Sequence, residues 1–511
     1  MQGLRRTATE CQRVVPRSGR PPPPPPRGAD GGSRTRRPSH ALRSPRRGLA
    51  QVACAAALDH AAERGSSEQL LHLPCAIVAR GKVNLFEQHR APIIYGGAID
   101  RVEERQGGAV LPGSPVFFSD WKHRVLGWGF FNPTSMYRVR IMEFASVRGL
   151  GPDALSSENV AAFIASRIRD AYHARLSMNL PNAQTNVYRL INSEGDSLSG
   201  LVVDHMGSRL VVQSTAAWVQ RHKRVILSAL AETVPTARTI AWKADFRILQ
   251  KEGVPTEDED DLEVYAVGNA AAGAPVVEKV PEETSNSNSD SNKVWVTENN
   301  LRWRVGASMQ KTGFYCDQRD NRRHVMEMAG GKRCLDLCCF TGGFAVSAKA
   351  GGASEVVGVD SSAAALEVAR ANADANGLAD AVDFVQDDIT KFMAREIREE
   401  RIRAWDLVVL DPPKLCPSAR HLKKALRHYE KINALAIDLV KPGGILVTCS
   451  CSGAVDTAAF LAMVRGAAAR AGSGSGRHLK VLRVSGASDD HLTSLRYPEG
   501  QYLTVVTLMV V

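Results

Sequence analysis

The chain has 511 residues, 44% of them apolar and 23% charged, and carries a formal net charge of +11. That length is too great for one ordinary domain, and the composition is that of globular protein, not of a low-complexity or collagen-like chain. No run approaches eighteen uninterrupted apolar residues, so a membrane-spanning helix and a membrane partner are not expected.

The charge is unevenly placed. Residues 1–50 hold twelve arginines, no lysine and only two acids, Glu10 and Asp30, whereas 255–290 hold ten acids against Lys279 alone. With both segments set aside the rest is still mildly basic, which suits a phosphate-bearing partner whose counterions are released on binding. Ten cysteines are scattered without paired CxxC units, and no His/Cys spacing matches a zinc site, so no metal is expected. Most of them read as small buried apolar residues in a reducing compartment.

In chain order, the first segment is Arg-rich, nearly acid-free, and contains six consecutive prolines, Pro21 to Pro26. Such a segment has nothing to bury, and an acid-poor basic N-terminus is typical of organelle import signals. Residues 1–55 are therefore expected to be a disordered transit peptide with a processing site near Val52-Ala53-Cys54-Ala55. It would direct the chain to a chloroplast, with a mitochondrion as the alternative. A basic arm that touches RNA is the competing reading. From 74 to 146 short β-like runs alternate with turns: Ala76–Ala79, Val116–Phe118, Val125–Phe131 and Tyr137–Ile141. This spacing predicts a small barrel.

Residues 150–305 read as a central α+β domain. A helical apolar pattern (Val160, Ile164, Ile168) is followed by strands near Val187–Ile191, Leu201–Val203 and Leu210–Gln213, then a helix over Val219–Leu230. Residues 255–293, with acids at 257–263 and a Ser/Asn/Asp run at 284–292, read as a disordered solvated insertion. Two alternating strands follow, at Val294–Val296 and Leu301–Val305. Over 306–511 strand-like runs (Arg333–Leu337, Glu355–Val359, Val382–Val385, Trp405–Leu410, Gly444–Cys449) alternate with helices, notably Ala363–Ala375 and Tyr429–Val440. That alternation predicts an α/β, Rossmann-like doubly wound sheet.

Four consecutive strands of this sheet close on an acid: Asp336, Asp360, Asp388 and Asp411. Acids crowded at one sheet edge repel one another unless a ligand with hydrogen-bond donors, or a cation, fills the gap. Phe340-Thr341-Gly342-Gly343 after the first strand lets the backbone approach a ligand at a helix N-terminus. Asp360 is placed to accept from ribose hydroxyls and Asp388 from an adenine amino group. No GxGxxG is present, and the third acid and Asp411-Pro412-Pro413 are not required by a dinucleotide oxidoreductase. The set is the pattern of class I methyltransferases, with S-adenosylmethionine (SAM) as cofactor.

The strand ending near Val447 runs into Thr448-Cys449-Ser450-Cys451-Ser452-Gly453. Methylation of carbon 5 of a pyrimidine needs a thiolate that adds to carbon 6, and a cysteine at this edge supplies one. Cys449 and Cys451 are equal candidates on position alone, and Cys416 is a lesser one. Lys414 follows the two prolines where amino-group methyltransferases often carry an aromatic residue.

The segments Gln310-Lys311-Thr312-Gly313-Phe314-Tyr315-Cys316-Asp317-Gln318-Arg319, Asp336 to Phe344, Leu410 to Lys414, Ser450 to Gly453 and Tyr497 to Leu503 resemble the bacterial PUA-containing 23S ribosomal RNA cytosine-5 methyltransferases. The resemblance covers roughly 75–511. It implies that 74–146 is a PUA-like RNA-binding domain, that Cys451 is the nucleophile and that Asp411 lines the base pocket. It also implies a cap over the cofactor from the Gln-Lys-Thr-Gly segment, which makes Tyr315, Gln318 and Arg319 binding candidates. The expected activity is formation of 5-methylcytosine in organellar large-subunit ribosomal RNA. Methylation of another base such as guanine, or a non-catalytic RNA-binding assembly factor, are the alternatives. The N-terminal extension, the acidic insertion, Leu415 and His89 to Pro92 depart from the bacterial pattern.

Overall fold

The computed structural model describes residues 74–511 except 105–108, 146–149, 151, 256–261, 270–274, 281–292, 307–313 and 473–475. The 1–55 segment, the Ser/Asn/Asp run and Gln310–Gly313 therefore lie outside the described residues. Among the described residues the strands form four sheets, and no helix is long and apolar enough to cross a membrane.

The first sheet contains β1 (Cys75–Val78), β2 (Ile93–Tyr95), β3 (Ile99–Glu103), β4 (Ser114–Ser119), β5 (Val125–Phe131) and β6 (Tyr137–Phe144). Its order is β2-β6-β5-β4-β1-β3. The two edge strands, β2 and β3, are joined by the single turn Gly96–Ala98. A three-residue connection between opposite edges forces the sheet to curl round on itself, which is the barrel geometry expected from the strand spacing. Alternate apolar side chains of β1, β4 and β6 point inward with Ile94 and Phe86, giving a core of Ala76, Val78, Phe86, Ile94, Val116, Phe118, Val139 and Ile141.

The central domain opens with α1 (Ser157–Ser177), capped by Ser156, whose side chain accepts from the Asn159 N–H. It packs on a sheet of β7 (Val187–Asn192), β8 (Leu201–Met206), β9 (Arg209–Ser214) and β10 (Thr239–Ala244). The helix expected over Val219–Leu230 is two helices, α2 (Ala217–Arg221) and α3 (Lys223–Thr233), broken at His222, so the apolar period ran through a break it does not record. The reading of 255–293 as a disordered insertion is corrected in part. β11 (Leu262–Asn269) and β12 (Pro275–Lys279) extend the sheet antiparallel, with β12 at the edge, in the order β12-β11-β10-β9-β8-β7. Net charge concealed them: Val264 is buried, while Glu263 lies on the other face paired with Lys223 and Lys279.

The barrel and central domain share one apolar core. Phe130 of β5 stacks on Trp218 of α2, with ring centroids 4.7 Å apart and planes 2° apart. Gly113 allows this approach: a Cβ there would lie 2.8 Å from the Trp218 backbone, and its φ is +79°. Glu252, after α4 (Phe246–Lys251), latches the same seam by accepting from Asn132 Nδ2 at 2.9 Å and Arg140 Nη2 at 3.1 Å.

A hairpin of β13 (Lys293–Glu298) and β14 (Leu301–Gly306) leads to α5 (Arg319–Met328) and the large sheet. Its strands are β15 (Arg333–Leu337), β16 (Glu355–Asp360), β17 (Asp383–Gln386), β18 (Trp405–Leu410), β19 (Val440–Ser450), β20 (Leu479–Ser485) and β21 (Thr504–Val510). Between them run α6 (Gly343–Ala350), α7 (Ala363–Asp374), α8 (Ile389–Arg398), α9 (Leu422–Leu439) and α10 (Thr457–Arg470). The order is β17-β16-β15-β18-β19-β21-β20, with β21 antiparallel to both neighbours. The order reverses at β15, so the crevice beyond β15 and β18 is the topological switch point where this architecture binds ligands.

Candidate functional site

The four predicted acids meet at that crevice. Asp336 lies in β15, Asp360 ends β16, Asp388 follows β17 and Asp411 follows β18. Their convergence shows in one neighbour. The Cys338 thiol is pushed up first by burial, then by the charges of Asp411, Asp360, Asp336 and Asp388. The backbone between β15 and α6 is tightly coiled, with positive φ at Cys338 (66°), Phe340 (48°) and Gly342 (81°). Only at Gly342 is that conformation free of cost. Within it the Gly342 N–H donates to the Cys339 carbonyl, and α6 starts at Gly343, so the segment ends in a helix N-terminus just past β15.

Each acid is held differently. Asp336 is 3% exposed; its Oδ2 accepts from the Ala345 N–H at 2.8 Å, and its Oδ1 has no partner among the described residues. Burial, with Asp411 and Asp360 nearby, pushes its carboxyl up to about 8. Asp360 accepts from the Phe340 N–H through Oδ2 and the Ser362 N–H through Oδ1, both at 2.9 Å, so one carboxylate clamps two loops. Asp388 caps α8: its Oδ1 accepts from Thr390 and Lys391 N–H groups at 2.9 and 3.0 Å. That capping role accounts for one oxygen of the residue expected to face an adenine ring.

On the other side of the crevice Gln318 donates from Nε2 to Asp411 Oδ2 at 3.2 Å and accepts from Asn321 at 2.8 Å. The Tyr315 ring meets Phe340 edge-on, with centroids 5.3 Å apart. Its hydroxyl is pushed up to about 12 by burial and by Asp317, Cys451 and Asp411. Tyr315 and Gln318 thus border both the glycine turn and the cysteine segment. Arg319 is 6% exposed; its Nη2 pairs with Asp490 Oδ1 at 2.9 Å, and its Nη1 has no partner among the described residues.

β19 delivers the two candidate cysteines to different environments. Cys449 is fully buried, and its thiol is pushed well above the ordinary range by desolvation and then by the Asp411 charge. Cys451 comes one residue past the strand, is partly exposed, and places Sγ 3.9 Å from the Pro412 carbonyl of the Asp-Pro-Pro turn. Cys416 is fully buried, with its N–H donating to Ser452 Oγ at 3.1 Å. A buried network fixes this corner. The Tyr429 hydroxyl accepts from Ser450 Oγ at 3.1 Å and lies 3.2 Å from Ser452 Oγ.

The hub at Asp490 had no counterpart in the sequence reading. Asp490 is fully buried and accepts from Arg319 and from the Arg189 N–H at 2.7 Å, while its carbonyl accepts from Arg175 Nη2 at 2.7 Å. Nearby, the Tyr502 hydroxyl donates to Asp317 Oδ2 at 2.6 Å. These residues sit in a polar loop with no periodicity to mark them.

The buried, half-satisfied Asp336 and the strained coil beside it suit a ligand that donates hydrogen bonds, as SAM does. The sequence matches a family model described as S-adenosylmethionine-dependent methyltransferase over residues 282–473, and one described as a PUA-like domain over 77–144. The chain is thus a SAM-dependent methyltransferase with an N-terminal PUA-like domain and a Rossmann-like C-terminal domain. It is 34% identical over 418 residues to the ribosomal RNA large subunit methyltransferase I of Photobacterium profundum, covering 81% of this chain and 94% of that one. It is 33% identical over 433 residues to the protein of that name from Klebsiella pneumoniae, covering 84% and 96%. The chain belongs to this ribosomal RNA large subunit methyltransferase I family. A candidate SAM-dependent methyltransferase from Streptococcus mutans shares the fold, with a TM-score of 0.65 at 16% identity, covering 85% of this chain and 100% of that one. A candidate methyltransferase solved with SAH gives 0.66 at 16% identity and the same coverage.

Proposed function

We propose that this enzyme forms 5-methylcytosine in large-subunit ribosomal RNA of an organelle, with Cys451 as nucleophile. The observation that carries this reading is the contrast between the cysteines. Cys451 is accessible beside the Asp-Pro-Pro turn, and Cys449 is desolvated next to Asp411. The names of the relatives support RNA as substrate, and the PUA-like domain agrees with it.

SAM, when bound, supplies an electrophilic methyl group. Asp336, Asp360, Asp388 and the Phe340–Gly343 turn would hold it, with Tyr315 and Gln318 closing the crevice from the cap. Cys451 sulfur forms a bond to carbon 6 of the cytosine, and the ring electrons make carbon 5 nucleophilic. Once carbon 5 carries the methyl group, a base takes its proton, the 5,6 double bond re-forms and the carbon–sulfur bond breaks. Asp411, held by Gln318, lines the base pocket and would accept from the exocyclic amino group.

The test is trapping. RNA containing 5-fluorocytidine has no carbon 5 proton to lose, so a cytosine-5 enzyme stays covalently attached through sulfur. A band shifted on a denaturing gel with wild type, and absent with Cys451→Ala, is the expected result. Normal methylation by Cys451→Ala would overturn the assignment. The arginine-rich, acid-poor 1–55 segment supports delivery to a chloroplast, with the mitochondrion as the other destination. Imaging a fluorescent protein fused to residues 1–60 decides between them, and cytosolic fluorescence would reject both.

A further inference from the structure

A cavity of about 320 Å³ opens where the PUA-like, central and methyltransferase domains meet. Arg90 comes from the first domain, Arg167, Glu194, Ser197 and Ser199 from the second, and Arg496 from the third. Its size is at the lower end of clefts that take small ligands or part of a polymer.

The charges lining it are not balanced by one another. Three arginines face two acids, Glu143, which accepts from Trp128 Nε1 at 3.1 Å, and Glu194, which accepts from Ser199 Oγ at 2.7 Å with Arg140 at 3.8 Å; among the described residues neither acid pairs with any of the three, so the lining keeps a net positive charge. The Arg90 guanidinium lies 4.8 Å from the Phe144 ring centroid and has no carboxylate partner among the described residues. Arg496 has none either; only its backbone N–H is bonded, to Ser494 Oγ at 3.2 Å. Arg167 reaches Asp170 at 3.5 Å through Nη1, while its buried Nε has no acceptor. The two guanidinium groups without a carboxylate partner, Arg90 and Arg496, line one cleft with Arg167, and their forked donors match phosphate oxygens.

The loop bearing Arg496 also connects this cavity to the candidate nucleophile. At one end Asn192 Nδ2 donates to the Leu492 carbonyl at 2.8 Å, and a Cβ on Gly195 would lie 1.9 Å from that oxygen. At the other end Gly453, two residues past Cys451, would place a Cβ 3.5 Å from Tyr502 and 4.0 Å from the Glu499 carbonyl. We infer that this three-domain cavity is an anchor for a backbone phosphate of the substrate RNA, gripped by Arg90 and Arg496, with Arg167 completing the shell. The inference rests on the RNA reading above. An anchor shared by three domains sets how the strand is laid across the methyltransferase edge, because phosphate contacts fix register while base contacts specify.

The experiment compares wild type with Arg90→Gln, Arg496→Gln, the double variant and Arg496→Glu on the exposed loop. Arg470→Gln serves as the control, since that side chain is 70% exposed and pairs with Glu430. The probe is a transcribed large-subunit ribosomal RNA fragment titrated at several salt concentrations, with SAM affinity and melting temperature measured alongside. Each single Gln variant should weaken RNA binding about three- to tenfold, with the salt slope reduced by about one per lost phosphate contact. The Michaelis constant for RNA should rise, kcat at saturating RNA should hold, and SAM affinity should not change. Wild-type RNA binding with all cavity variants equal to Arg470→Gln would overturn the anchor and leave the RNA reading standing. No RNA binding by folded, SAM-binding wild type would overturn both. Saturable uptake of inorganic phosphate, lost in the double variant without any loss of RNA affinity, would also overturn the anchor, because the ligand would then be a free anion.

Discussion

Replacing Asp336 with Asn should stabilise the cofactor-free protein at neutral pH while weakening SAM binding. Asp336 is 3% exposed, one of its oxygens has no partner among the described residues, and its carboxyl is pushed up to about 8 by burial. An unfolded aspartate titrates near ~3.9. The folded state therefore holds the extra proton across the window between those values, and stability falls as pH rises through it. About four units at ~1.36 kcal/mol each set an upper bound of about 5 kcal/mol above pH 8. Asn keeps the acceptor for the Ala345 N–H but leaves an amide donor unmet, which costs about 1–3 kcal/mol. The net gain of Asp336→Asn should be about 2–4 kcal/mol at pH 8, and at pH 4.5 it should vanish or become a loss of up to about 2 kcal/mol, because only about 1 kcal/mol of the protonation cost is left there. Urea denaturation without cofactor at pH 4.5, 6, 7 and 8 reads this directly, with the midpoint converted through a common m-value. Adding SAM should reverse the ranking, because ligand binding stabilises wild type more than a variant that binds it poorly. Parallel pH profiles for the two proteins without cofactor would refute the claim that this carboxyl is buried without a compensating charge.

Asp490→Asn should cost about 3–5 kcal/mol, because it strips the partner from buried Arg319. Asp490 is held below the usual carboxylate range by His491 and Arg319 despite burial, so its contribution is complete above pH ~4 and is lost as pH falls further; a thermal melt series from pH 7 to pH 3 checks both statements. Tyr429→Phe removes the hydroxyl that accepts from Ser450, and should lower stability by about 1–2 kcal/mol and reduce kcat without changing SAM affinity. Cys449→Ala should keep covalent trapping on 5-fluorocytidine RNA, since its buried thiol is pushed away from ionisation; loss of trapping there would transfer the nucleophile role from Cys451. Gly113→Ala should destabilise by about 1–3 kcal/mol through its positive φ and the Trp218 backbone 2.8 Å away, measured by denaturant midpoint.

Much of the large sheet was legible because its strands are short runs of buried apolar residues bounded by acids and glycines. Arg333–Leu337 and Trp405–Leu410 were delimited at both ends. β11 and β12 were not, since acids and small residues there resemble a solvated loop until a neighbouring edge supplies their hydrogen bonds. The four strand-end acids were found from spacing alone, whereas the assignment of Arg319 came from resemblance and missed its pairing with Asp490.

What the sequence by itself determined is therefore the local and the periodic: the β/α alternation, the acids at successive strand ends, and two cysteines at one sheet edge. Those features depend on residues near one another in the chain. Only the tertiary structure decided which oxygens of those acids are already used and which cysteine is desolvated. It also decided that a helix, a strand and a second helix, all distant from it in the chain, share Asp490, and that arginines from three domains face one cavity. Those properties are set by burial and by partners distant in sequence, and neither is encoded in any local pattern.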